Sequence, residues 1–87
     1  MENIDPLKTI RQEINKTDEE IVKLLDKRFE IVKTVVAVKK QLGIPIFQKE
    51  REKEVISKVG NISKNSKESQ NIFKKIINET KKFEEKL

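Results

Sequence analysis

Apolar residues recur through the first half of the chain with alternating steps of three and four: Leu7, Ile10, Ile14, Thr17, Ile21, Leu24, Arg28, Ile31, Val35, Val38 and Leu42. That spacing puts them on one stripe of an α-helix, the kind of seam along which one helix packs lengthwise on another. Only Thr17 and Arg28 interrupt it. Asp5 can cap the start and Pro6 suits a first helical turn. Gly43 can take the left-handed stop position, and Pro45 bars continuation, so the pattern predicts a helix over 7–42. At about 1.5 Å per residue such a helix is roughly 54 Å long, more than the diameter of a globule made from a chain of this size. It cannot bury its stripe alone. A second copy with the long helices antiparallel can, so the pattern predicts an intertwined homodimer.

The connection from Gly43 to Gln48 carries Ile44, Ile46 and Phe47, which are expected to fold back onto the helical core. A second helix follows over about 49–59, with Val55, Ile56 and Val59 as its buried edge and Gly60 as its stop. The polar stretch from Asn61 to Ser69 offers Asn65 and Glu68 as a capping pair for a third helix over about 66–86. That helix has Ile72, Phe73, Ile76, Ile77, Thr80, Phe83 and Leu87 at helical spacing. No β-type alternation of useful length occurs, so residues 1–87 read as one all-α domain of three helices.

Composition narrows the chemistry. Hydrophobic residues are only 34% of the chain and charged residues 40%, which again favours burial against a second copy. With no cysteine and no histidine there is no disulfide framework, thiol chemistry, usual zinc site or histidine acid–base catalyst. Any chemistry rests on Arg, Lys, Glu or hydroxyl groups, with no metal or cofactor expected. No signal-like segment or membrane-length apolar run occurs, so a soluble cytoplasmic protein is expected. A formal charge of +5 suits an anionic partner, either nucleic acid or a small polycarboxylate.

The placement of the cations favours the small anion. Arg28 sits in an apolar seam, where a guanidinium needs an anionic partner to offset its desolvation. Lys39 lies eleven residues on, which on a helix is within roughly 20° of the same direction and about 16 Å along the axis. Val32 and Val35 line the face between them, so the two cations flank an apolar floor suited to a small anion with an apolar body. Arg11 lies too far back to reach that ligand from the same helix. In an antiparallel dimer centred near residue 24 or 25, however, Arg11 of the partner subunit falls close to position 38. Arg51 and Glu52 open the second helix, where an intrahelical ion pair is the ordinary reading. Thr80 and Glu84 share one helical face, while Lys81, Lys82 and Glu85 read as solvated charges.

The run from Pro6 to Arg28, then Lys39, then the stretch from Gly43 to Val55 resembles the all-helical chorismate mutase family. Arg11, Arg28, Lys39, Arg51 and Glu52 all fall at the family spacing without gaps. The resemblance implies a three-helix chain in an intertwined dimer with two active sites, acting on chorismate without a cofactor. Arg28 and the partner's Arg11 would bind the carboxylates, assisted by Arg51. Lys39 would sit near a carboxylate and the ether oxygen, and Glu52 would hold the ring hydroxyl. Gln48 stands where the family commonly has an acid, and Thr80 and Glu84 stand where it usually has a serine and a glutamine. The reaction implied is the rearrangement of chorismate to prephenate in phenylalanine and tyrosine biosynthesis. Association with a larger aromatic-biosynthesis enzyme is compatible with it. Two alternatives stay open: an isochorismate pyruvate lyase on the same scaffold, and a non-enzymatic basic helical dimer binding nucleic acid or protein. The alternation of basic with acidic residues and the lack of Trp and Tyr for base stacking weigh against nucleic acid.

Overall fold

A computed structural model describes residues 5–87, and the regular structure in that span is three helices: α1, Pro6–Leu42; α2, Lys49–Ile62; and α3, Ser66–Glu85. The ends of α1 follow from its flanking residues. Asp5 Oδ1 accepts hydrogen bonds from the backbone N–H groups of Leu7 (3.0 Å) and Lys8 (3.3 Å), two donors that the helix itself leaves unpaired. At the other end Gly43 has φ +68°, and the N–H groups of Gly43 and Ile44 turn back to the carbonyls of Lys40 (3.3 Å) and Lys39 (3.0 Å). This is the double closure of a Schellman motif, which needs a residue tolerant of positive φ. Thr17 satisfies its hydroxyl within the helix by donating to the Glu13 carbonyl at 3.0 Å, so this polar interruption of the stripe leaves no group unpaired.

The chain divides into two compact units, one ending at Ile31 and one running from Val32 to Leu87. In the first, the described residues beyond the cap belong to α1. Leu7, Ile10, Ile14, Ile21, Leu24 and Ile31 are all exposed, between 49% and 64%. Leu25, Arg28 and Phe29 are half-buried. Arg28 therefore stands on the flank of the seam that is less open to solvent.

In the second unit the end of α1 buries a different face from the predicted stripe. Val36 is 2% exposed, and Val32 and Lys39, one turn to either side of it, are half-buried; Val35, Val38 and Leu42 on the stripe remain exposed. Val36 is the one buried apolar side chain and Thr80, at 6%, the one buried polar side chain among the described residues. A chain with so little interior of its own is poorly stabilised by burial alone. Ile46 is half-buried, but Ile44 and Phe47 are exposed, which corrects the expectation that all three fold back onto the core.

Helices α2 and α3 form an antiparallel hairpin, with Val55, Ile56 and Val59 half-buried on one helix and Phe73, Ile76 and Ile77 on the other. Gly60 does not end α2, which continues to Ile62. What Gly60 supplies is room: a Cβ there would collide with the Gln70 side-chain amide, which crosses to donate to the Ile56 carbonyl at 3.0 Å. The turn is closed by serines. Ser66 Oγ donates to the carbonyls of Gly60 (2.6 Å) and Ser63 (2.9 Å), and Ser63 and Ser69 share a hydroxyl bond of 2.6 Å. Asn65 does occupy the N-cap of α3, yet its side chain makes no cap bond; its own N–H donates to Ser63 Oγ at 3.0 Å. The capping pair expected of Asn65 and Glu68 is thus replaced by the serine cluster.

Candidate functional site

Lys39 reaches its position from the last full turn of α1, just ahead of the Gly43 stop. Its ammonium donates to the Ile46 carbonyl at 2.8 Å, so the connecting loop holds the side chain while two of its three N–H donors remain for other acceptors. Lys40, its neighbour, is exposed and donates to the Leu87 carbonyl at 2.7 Å. Burial thus separates two lysines that are adjacent in sequence. Val35 lies exposed at 42%, an apolar surface with no cover from its own chain.

On α2 the candidate residues have different fates. Gln48 is the exposed N-cap, with no side-chain cap bond. Arg51 is exposed and pairs with Glu54 at 3.1 Å, one turn on in the same helix. Glu50 pairs similarly with Lys53 at 3.6 Å. Such exposed pairs contribute about 0–1 kcal/mol. Glu52 behaves otherwise: its carboxylate crosses to α3 and forms an ion pair with Lys81. The intrahelical ion pair that is the ordinary reading is thus made by Arg51, with Glu54, while Glu52 pairs across the hairpin.

On α3, Thr80 is buried and its hydroxyl donates to the Ile76 carbonyl at 2.7 Å. Glu84, one turn further on the same face, is half-buried. Lys81, read from the sequence as a solvated charge, is half-buried against Glu52. No local signal marks it, because its partner lies on another helix. In the first unit, Arg11 is exposed and Arg28 half-buried.

An open groove of about 1620 Å³ runs between α2 and α3, with Lys49, Lys53, Lys74, Lys75 and Lys81 along it. Of the candidate residues Glu52 lines this groove, and Lys39, Val35, Thr80 and Glu84 do not. Among the described residues no group of three or more His, Cys, Asp or Glu stands ready to hold a metal ion, and no helix is long and apolar enough to cross a membrane. The chemistry on offer is fixed cationic and neutral hydrogen-bond donors beside apolar surface, an arrangement for binding an anion and stabilising charge on oxygen.

Comparison with known proteins gives that arrangement a context. The model of the family described as chorismate mutase type II matches residues 10–85. A chorismate mutase of Methanocaldococcus jannaschii is 38% identical over 74 residues, covering 85% of this chain and 75% of that protein. A bifunctional chorismate mutase/prephenate dehydratase of Aquifex aeolicus is 36% identical over 61 residues, covering 70% of this chain but only 17% of that protein. Among solved structures, a chorismate mutase from Thermus thermophilus superposes with a TM-score of 0.88 at 23% identity, over 93% of this chain and 96% of the other, which is a likeness of fold.

Proposed function

The chain belongs to the chorismate mutase type II family and catalyses the conversion of chorismate to prephenate; from that premise we propose which of its residues do so and in what assembly. Residues 1–87 work as one catalytic domain of a cytoplasmic homodimer. The observation that carries the assembly is the open seam of α1, whose apolar residues from Leu7 to Ile31 stand about half exposed in the single chain. Paired antiparallel on a copy of itself, this stripe is removed from water at about 25 cal/mol for each Å² covered. The same pairing brings Arg11 of the partner subunit to the site, which suits its exposure in the single chain.

Within the site, Arg28 and the partner's Arg11 bind the two carboxylates of chorismate, with Arg51 on the side of the ring carboxylate. Glu52 and Gln48 take the ring hydroxyl, and Val35 lies against the apolar part of the ring. Lys39 and Glu84 are the donors to the ether oxygen, and Thr80 supports a carboxylate. To serve the ligand, Thr80 must turn its proton away from Ile76, and Arg51 must leave Glu54. The exchange of an exposed pair is a change of about 1 kcal/mol or less.

The rearrangement is unimolecular: one carbon–oxygen bond breaks as one carbon–carbon bond forms, without a covalent enzyme intermediate. The protein holds the enolpyruvyl arm over the ring and stabilises the negative charge that grows on the ether oxygen. An acceleration of about 10⁶ requires about 8 kcal/mol. One well-placed donor supplies roughly 3–4 kcal/mol, so two donors with arginine clamps are of the right order. A carboxylate donates only when protonated, so Glu84 makes activity rise as pH falls through its pKa.

The test is the ultraviolet loss of chorismate with purified protein, with products separated by chromatography. Prephenate from wild type, and its loss in Arg28→Ala, is the expected result. Salicylate with pyruvate identifies the lyase reaction instead, and prephenate formed at full rate by Arg28→Ala overturns the site.

A further inference from the structure

We infer that Lys81 is a positioning residue for Glu52, clamping one carboxylate oxygen so that the other is presented to the ring hydroxyl of the substrate. The inference rests on the proposed role of Glu52 and adds a residue from α3 that the family spacing did not nominate.

Three glutamates in the first turns of α2 frame the argument. Glu50 and Glu54 pair within their own helix, with side chains 90% and 69% exposed, and serve as solvated charges. Glu52 is only 25% exposed and is the one of the three that crosses to α3. Its Oε1 is removed from solvent and is the oxygen that meets the Lys81 ammonium, so Lys81 is what offsets the burial of that oxygen. A buried carboxylate oxygen without a partner is strongly unfavourable. Glu52 is therefore held in this rotamer by Lys81. With Oε1 taken up by Lys81, Oε2 is the oxygen that an incoming hydroxyl would use.

The hairpin makes this clamp. Helical side chains lean toward the N-terminus of their own helix. In an antiparallel pair Glu52 leans toward the end of α3, and Lys81 leans back toward its beginning, so the two meet. Lys81 is next to Thr80, whose side chain is buried, and shares its fixed backbone. The Lys81 side chain as a whole is 40% exposed. Lys81 lines the lysine-rich groove and pairs with Glu52, and so acts through Glu52.

The experiment is a double-mutant cycle on the full chain, with kcat and KM for chorismate, helicity and melting temperature measured for Lys81→Met, Lys81→Arg, Glu52→Gln and Lys81→Met with Glu52→Gln. Lys81→Met is expected to lower kcat/KM by about tenfold to a hundredfold, the scale of a misplaced contact group. It should divide that loss between kcat and KM as Glu52→Gln does. Lys81→Arg should restore most of it, and Lys81→Met should add less than about twofold once Glu52 is already Gln. Should Lys81→Met fail to fold, Lys81→Gln takes its place in the cycle. The inference is overturned if Glu52→Gln is impaired while Lys81→Met turns over like wild type, or if the two losses simply multiply. Wild-type turnover by Glu52→Gln removes the role of Glu52 itself, and the clamp with it.

Discussion

The N-terminal part of α1 and the α2–α3 hairpin hold apolar residues at similar helical spacing and use them in opposite ways. From Leu7 to Ile31 the seam residues stand exposed. In the hairpin, Val55, Ile56, Val59, Phe73, Ile76 and Ile77 are half-buried between two short helices joined by a tight serine-rich turn. The difference is one of reach. Two helices of 14 and 20 residues can fold onto each other within one chain, whereas the described residues of the first unit beyond the cap belong to a single helix, with no second helix in that unit to pack on. Periodic apolar spacing therefore marks a face that can be covered, and in the hairpin the chain itself covers it.

The largest effect separating the two regions is expected from Leu24→Lys. Near the two-fold of an antiparallel pair this substitution sets two ammonium groups against each other in the seam. It should weaken dimerisation by about 4 kcal/mol, roughly a thousandfold in dissociation constant, and abolish turnover at micromolar protein. Sedimentation equilibrium with activity measured on the same samples checks it. A fully active dimer would show that the seam is not the interface.

Next in size is Lys39→Ala, which removes a donor held by the loop carbonyl of Ile46 and should lower kcat by about 10²–10³-fold. Lys40→Ala, one residue on and exposed, should stay within about twofold. Steady-state kinetics of the pair, with circular dichroism to confirm the helices, tests whether burial rather than charge distinguishes them. Equal losses in the two variants would contradict the assignment.

Glu84→Gln should act in the opposite direction, raising kcat by about tenfold at neutral pH, because an amide donates at every pH whereas a carboxyl group donates only when protonated. Wild-type activity is expected to climb as the pH is lowered and the carboxyl group takes up its proton, and the variant to lose that slope. A wild-type profile with no rise toward acid pH rules the protonated donor out.

The smallest effect tests the packing of the hairpin. Ala at position 60 gains about 1 kcal/mol of helix propensity. In wild type that gain is offset because the new Cβ displaces the Gln70 amide and its bond to Ile56, about 1 kcal/mol as well. Gly60→Ala should therefore be near neutral alone and stabilising by about 1 kcal/mol when combined with Gln70→Ala, relative to Gln70→Ala by itself. Urea denaturation of the four proteins measures the coupling; equal shifts in both backgrounds would mean that Gly60 is not a spacer.

Much of the fold was legible because its causes are local. The caps at Asp5 and Gly43, the loop at Pro45, the span of α1 and the existence of two further helices each follow from residues a few positions apart. The shared face of Thr80 and Glu84 was legible too, because both lie on α3. Gly60 misled for a physical reason: glycine ends helices when it takes positive φ, as Gly43 does, but it also sits inside helices where another side chain must come close.

The sequence by itself determined the helical class, the boundaries of α1, the seam that a second copy is proposed to cover, and the likeness to the chorismate mutase type II family. Only the tertiary structure decided that Val36 rather than the neighbouring stripe is buried, that Gln70 crosses over Gly60, and that Glu52 pairs with Lys81 on the other helix. Helical periodicity and capping act through residues within one or two turns and can be read along the chain. Which faces meet, and which charges then pair, depends on how two helices are set against each other, and the residues on either side carry no local mark of that setting.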